Sequence, residues 1–313
     1  MINYIIRRLF SIIFIFFAVS IIVFLTMHMI PGDPARVMAG MNATEADVRL
    51  IREKLGLNRP LYIQYLSYIK GIFQGDLGES IQTGRPVAQS LISRYPATLE
   101  LAGLSLLLAF PFAVFAGVVA ANNSNTFLDS AIMSGAVFGI SMPSFWRGLM
   151  LMYIFSLTLG WLPASGRGGD LFQLEGLKHL ILPVLTLSFG SMAYLTRITR
   201  SAMMEVLNKE YVDTARSKGL REQVVIYKHT LRNALISVIT MAGMQFGWLL
   251  GGAVVIETVF AWPGVGRMLV NAIFARDFPV VQSTILIIAI SFTLINLIVD
   301  LLYAFLDPRI AYD

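Results

Sequence analysis

Long uninterrupted apolar runs organise this chain. Six stretches, at roughly 9–30, 97–121, 130–159, 180–203, 234–256 and 281–305, are long and apolar enough to cross a bilayer. A hydrocarbon core about 30 Å thick needs about 20 helical residues at 1.5 Å each. Inside lipid the backbone has no water to bond to, so a span is a helix or part of a closed barrel. The runs lack the alternation of barrel strands, so six spanning helices are predicted. Pro111, Pro143 and Pro183 fall inside spans. Each removes a backbone donor and predicts a kink or an uneven segment.

The connections are more informative than the spans. Residues 31–96 are too patterned for a linker. Thr44 and Asp47 form a capping-box signature, and Leu50, Ile51, Leu55 and Leu57 continue an apolar face until Gly56 and Pro60 stop it. A second amphipathic piece runs from Leu61 to Phe73. The expected organisation is a cytoplasmic N-terminus and first helix over 1–30, then an external helical lobe over 31–96. A five-helix core over 97–305 contains a cytoplasmic loop at 204–233, and a tail covers 306–313. The fold class is all-α and integral to the membrane.

Composition agrees. Of 313 residues, 56% are apolar and 14% charged, against about 25% charged in soluble domains. The net charge of +5 forms no continuous patch, which argues against nucleic acid. Its distribution instead sets orientation. Arg7 and Arg8 place the N-terminus in the cytoplasm, and six spans return the C-terminus there. The 204–233 loop, with Lys209, Arg216, Lys218, Arg221, Lys228 and Arg232, then lies inside as well. The basic 31–96 segment is long enough to escape the rule. The first apolar stretch exceeds the 7–15 residues of a signal peptide, although Val37-Met38-Ala39 resembles a cleavage site. There is no cysteine, hence no disulfide and no thiolate metal site.

Candidate chemistry centres on the cytoplasmic loop. Tyr211, Val212 and Ala215 share a helical face, Asp213, Thr214 and Arg216 take the other, and Gly219 permits a turn. A second helical stretch follows through Val224, Tyr227 and Leu231. This reads either as a compact knob that docks on a partner or as a solvated loop with an interfacial helix. Within the spans, ionisable residues are functional candidates by default. Arg147, Asp300 and Gln245 lie inside spans, with Glu100 and Glu257 nearer the outer ends. By depth, Arg147 can pair with Glu100 or Glu257. Arg147 is either a structural or snorkelling charge or a cavity-lining contact for a carboxylate. His28, His179 and His229 are far apart, and no His-Glu-x-x-His or phosphate-binding loop occurs. The chain itself is therefore not expected to hydrolyse ATP or to hold a metal.

One resemblance joins these segments. Asp213-Thr214-Ala215, three residues and Gly219 resemble the cytoplasmic "EAA" loop of ABC importer permeases, with Asp213 and Thr214 departing from the general pattern. The run Thr-Ala-Arg-Ser-Lys-Gly over Thr214–Gly219 is similar to the dipeptide/oligopeptide/glutathione/nickel branch. So are Ile30-Pro31-Gly32-Asp33-Pro34, Gly75-Asp76-Leu77-Gly78, Gly139-Ile140-Ser141-Met142-Pro143, Gly160-Trp161-Leu162-Pro163, Trp262-Pro263-Gly264-Val265-Gly266-Arg267 and Asp307-Pro308-Arg309. Trp161 and Trp262 also fit an interfacial aromatic belt.

The resemblance implies a type I ABC importer permease in a bacterial or archaeal plasma membrane. It implies a homologous second permease, two ATP-binding subunits that carry ATP and Mg, and an external solute-binding protein. Tyr211, Val212, Asp213, Thr214, Ala215, Arg216, Lys218, Gly219, Leu220 and Arg221 would form the ATPase-coupling loop. The solute would be a dipeptide, a longer peptide, glutathione, or nickel or another metal complex. An ion-coupled secondary transporter is the competing class; Arg147 and Asp300 favour it and the docking motif opposes it.

Overall fold

The computed structural model describes residues 2–29, 34–39, 43–54, 56–169 and 173–306, almost all helical with short connections. Among these residues, extended pairing is confined to one isolated antiparallel bridge between Glu79 and Pro86. Motif segments at 30–33 and 307–309 lie outside the described residues.

Five continuous helical segments are long and apolar enough to cross a bilayer. They are α1 (Ile2–Met29), α5 (Val87–Asn122), α8 (Leu174–Leu207), the stretch Glu222–Val259 and α13 (Phe278–Leu306). The expected single span over 130–159 is instead an interrupted one. Helix α6 (Phe127–Ser141) stops, α7 (Ser144–Met152) starts afresh, and a π-helical turn follows over Tyr153–Thr158. Pro143 causes the interruption: it cannot donate to the preceding turn, and it pushes Met142 out of the helical region to φ −76° and ψ 126°. Pro183, by contrast, lies within the continuous helix α8, and Pro111 within α5.

The chain divides into two compact units. The first combines Met1–Ala97 with Pro263–Ser291. It holds the short helices α2 (Pro34–Ala39), α3 (Glu45–Lys54) and α4 (Leu61–Phe73). Helix α3 begins where the capping signature placed it: the Asp47 carboxylate accepts from Thr44 N, and Asp47 N donates to Thr44 Oγ1. Thr44 also holds the Asp47 carboxyl below its usual range. An apolar cluster joins Val87 and Leu91 of α5 to Val265, Met268 and Ala272 of α12 (Val265–Phe274) and to Val280 and Val281 of α13. Buried Asp277 ties residues 80–82 to this helical corner. It accepts from Ser80 Oγ at 2.5 Å and from Ile81 N at 3.1 Å.

The second unit combines Thr98–Trp262 with Phe292–Asp313. Helix α8 runs through its centre and packs against α6, α7 and the segment after residue 231. The approach of α5 to α8 needs a glycine. A Cβ on Gly117 of α5 would stand 2.4 Å from Thr199 Cβ and 2.9 Å from the Thr196 carbonyl oxygen. Trp161 is 66% exposed, as an interfacial residue would be, but Trp262 is fully buried. The aromatic-belt expectation therefore fails at Trp262, whose indole packs inside the protein.

Candidate functional site

The loop between α8 and the next long helix is a folded element with its own core. Helix α8 ends at Leu207 with Asn208 as its C-cap, Lys209 is extended, and α9 runs over Glu210–Ser217. Glu210 and Asp213 sit in its first turn, where the helix dipole favours negative charge. The chain reverses at Gly219, whose φ of +75° is left-handed. A short turn, α10 (Glu222–Val224), and a π-helical segment (Val225–Leu231) lead into α11 (Arg232–Val259).

Val212 and Ala215 are buried with Val225, and Val206 and Leu207 pack on the cluster. This corrects the expectation that Val212 and Ala215 offer an apolar knob to a partner: they close the loop on itself. The outward surface is Tyr211 at 44% and Leu220 at 40% exposure, together with exposed Asp213, Thr214, Arg216, Lys218 and Arg221. Arg216 fastens the two arms. Its Nη2 donates to Glu222 Oε1 at 2.9 Å, and its Nη1 lies 3.5 Å from Asp213 Oδ1. The Glu222 hydrogen bond raises the Arg216 guanidinium above its ordinary range. Tyr211 accepts a hydrogen bond from Asn233 Nδ2 at 3.1 Å.

The membrane candidates do not converge on one site. The depth argument paired Arg147 with Glu100 or Glu257, and the structure pairs neither that way. Glu100 receives Arg167 Nη2 at 2.7 Å, and the Arg167 guanidinium lies 5.7 Å from the Trp262 ring centroid. Glu257 is fully buried and accepts from Thr98 Oγ1 at 2.5 Å. Rise along a helix gives depth but not direction, and these carboxylates turn toward other neighbours. Gln245 Nε2 reaches Ser191 Oγ at 3.4 Å. Asp300 belongs to α13, and its side chain lies outside the described residues. Arg147 folds back over the Met142–Pro143 break: its Nη1 donates to the Gly139 carbonyl, and its guanidinium carbon is 6.0 Å from the Phe189 ring centroid.

Sequence reasoning missed three polar anchors. Asp129 holds Arg200 in a bidentate pair at 2.6 and 2.7 Å, and Asp277 and Arg167 make the contacts described above. Asp129 carried a readable signal, since Thr126 and Asp129 have the Thr-x-x-Asp spacing of a cap and Asp129 N donates to Thr126 Oγ1. Among the described residues, no group of three His, Cys, Asp or Glu could hold a metal ion.

Comparison with known proteins defines the class. Residues 113–312 match the family described as binding-protein-dependent transport system inner membrane component. Residues 1–102 match the N-terminal model of the same kind of membrane component. The chain belongs to this family and is a permease subunit of an ABC importer. It is 47% identical over 312 residues, covering 100% of both chains, to the glutathione transport system permease protein GsiC of Escherichia coli (strain K12). The match to GsiC of Shigella dysenteriae serotype 1 (strain Sd197) has the same identity and coverage. Among solved structures, the MetNI methionine ABC transporter in inward-facing conformations matches with a TM-score of 0.59 at 16% identity, covering 69% of this chain and 96% of that one. An amino acid ABC transporter crystallised with histidines gives a TM-score of 0.53 at 17% identity, covering 71% and 94%. These two likenesses concern the fold, which is that of importer permeases.

Proposed function

We propose that this chain forms half of the translocation pathway for glutathione or a related di- or oligopeptide, and that residues 211–221 transmit the movement of a partner ATPase. The full-length 47% identity to a glutathione transport permease carries the solute reading. The self-contained core of α9 supports the mechanical one, because a lever must keep its shape under load. Val212, Ala215 and Val225 hold that shape, Gly219 makes the turn, and the exposed side chains from Tyr211 to Arg221 form the contact. A homologous second permease, two ATPase subunits and an external solute-binding protein complete the assembly. ATP and Mg act on the ATPase subunits, whose closure moves the docked loops and biases the permeases between outward and inward openings.

Reconstitution tests this. Vesicles holding this chain with all its partners accumulate labelled glutathione or dipeptide only when ATP is supplied to the ATPase side. The chain alone gives neither uptake nor hydrolysis. ATP hydrolysis by the purified single chain would overturn the assignment.

Sidedness is part of the proposal, with both termini cytoplasmic. The chain has no cysteine, so introduced ones report cleanly. Exposed Thr83 is the suitable outer position, because Ser80 is buried against Asp277. Thr83→Cys reacts with an impermeant thiol reagent from outside, and Ser217→Cys only from inside. The reverse pattern removes the topology.

A further inference from the structure

The break between α6 and α7 leaves one positive charge incompletely satisfied. Arg147 lies in the first turn of α7, with its backbone N–H donating to Pro143 O. Its side chain reaches back across the break and places Nη1 on the Gly139 carbonyl. That bond occupies one of the five guanidinium donors. Nε is buried and has no hydrogen-bond partner, and no carboxylate among the described residues pairs with the charge. The Phe189 ring lies on one side, and Gly190 keeps the surface beside Nη2 free of a side chain.

The surroundings define what the charge faces. Met142 lies about 18 Å along the helix from residue 130, well inside a hydrocarbon core about 30 Å thick. Non-helical backbone at that depth persists only where protein or a water-filled cavity covers it. Helices α8 and α11 of this chain cover one side of the α6–α7 corner, and its exposed side, at Ser141 and Pro143, calls for water or another subunit rather than lipid. With Nη1 engaged, the remaining edge of the guanidinium is Nε with Nη2, the planar fork that matches a carboxylate.

We propose that Arg147 anchors the C-terminal carboxylate of the transported solute, the glycine carboxylate of glutathione, through this edge, as a station in the pathway. A carboxylate on Nη2 would neutralise the charge, and a rotation of the guanidinium would bring Nε, buried in this structure, to the same carboxylate. The proposal rests on the peptide or glutathione reading and adds the group by which the permease itself recognises the solute.

The test uses the complete reconstituted transporter with two solutes, glutathione and glutathione amidated at its glycine carboxyl. Uptake is normalised to the occupancy of the solute-binding protein, measured separately for each. Arg147→Gln keeps a donor for Gly139 and removes the charge, whereas Arg147→Lys keeps the charge. The expected result is an assembled Arg147→Gln complex whose maximal glutathione uptake falls at least tenfold. Its uptake of the amide stays within twofold of wild type, and Arg147→Lys recovers much of the glutathione rate. Equal losses for both solutes would make the charge structural or paired with the second permease and would overturn the proposal. So would wild-type uptake in Arg147→Gln, which leaves only the cap on Gly139. If Arg147→Gln does not assemble, the Lys variant decides: a rate for the amide reduced as much as that for glutathione overturns the proposal. If the wild-type complex carries neither solute, the solute reading fails instead.

Discussion

The 204–233 loop and the α6–α7 break both interrupt helices, yet they are finished differently. The loop satisfies itself. Val212, Ala215 and Val225 close on one another, Arg216 bridges to Glu222 and Asp213, and the reversal falls on a glycine. The break does not, because Arg147 caps one carbonyl and keeps an unpartnered Nε. The difference matches the two proposed roles: a segment that pushes on another protein has to hold its own shape, and one that receives a solute has to leave a valence open.

The largest expected effect comes from opening the core of the loop. Val212→Asp puts an uncompensated charge at a fully buried position, at a cost on the order of 3 kcal/mol or more. Limited proteolysis between residues 205 and 231 should become rapid, and copurification of the ATPase should be lost. Persistent protection of that segment would show that the loop does not depend on its own core.

Gly219→Val comes next. No atom lies within 4 Å of a Cβ there, so the penalty is purely conformational: about 1 kcal/mol or more at φ +75°. Uptake per ATP hydrolysed should fall while the spans stay folded, and Gly219→Asn should recover part of it, since asparagine tolerates this region. Equal behaviour of the two variants would exclude backbone strain as the cause.

Tyr211→Ala with Leu220→Ala removes exposed apolar surface and leaves the buried cluster intact. A several-fold weaker ATPase association, with unchanged protease resistance, is the expected result. Unchanged association would place the contact on another face. The smallest effect belongs to Arg216→Ala. Its ion pairs are exposed, and such pairs contribute about 0–1 kcal/mol, so stability should change little and less still at high salt. A larger loss, measured as a shift in the thermal midpoint, would mean that these ion pairs hold the loop together more strongly than exposed pairs do.

Much was legible in the chain because its signals are local. Apolar run length gave four of the spans directly, the Thr44–Asp47 cap placed α3, and Gly219 marked the turn. The fifth long segment extended beyond its apolar core because the helix continues through Val225–Leu231 into the loop. The run over 130–159 was apolar throughout, so run length merged what Pro143 divides into two helices.

Sequence alone determined the membrane class, the positions of most long helices and, through motif order, the family, because each follows from composition or from residues a few positions apart. Tertiary structure decided direction. The Tyr211, Val212 and Ala215 face could be assigned by spacing, but only packing against Val225 shows that Val212 and Ala215 point inward. Trp262 had the residue type of an interfacial anchor and is buried, while Glu100 found Arg167 and Asp277 found Ser80, 197 positions away. Grouping 263–291 with the first 97 residues is likewise a product of long-range packing. A helical pattern fixes which residues share a face, but only the other elements of the fold fix what that face meets.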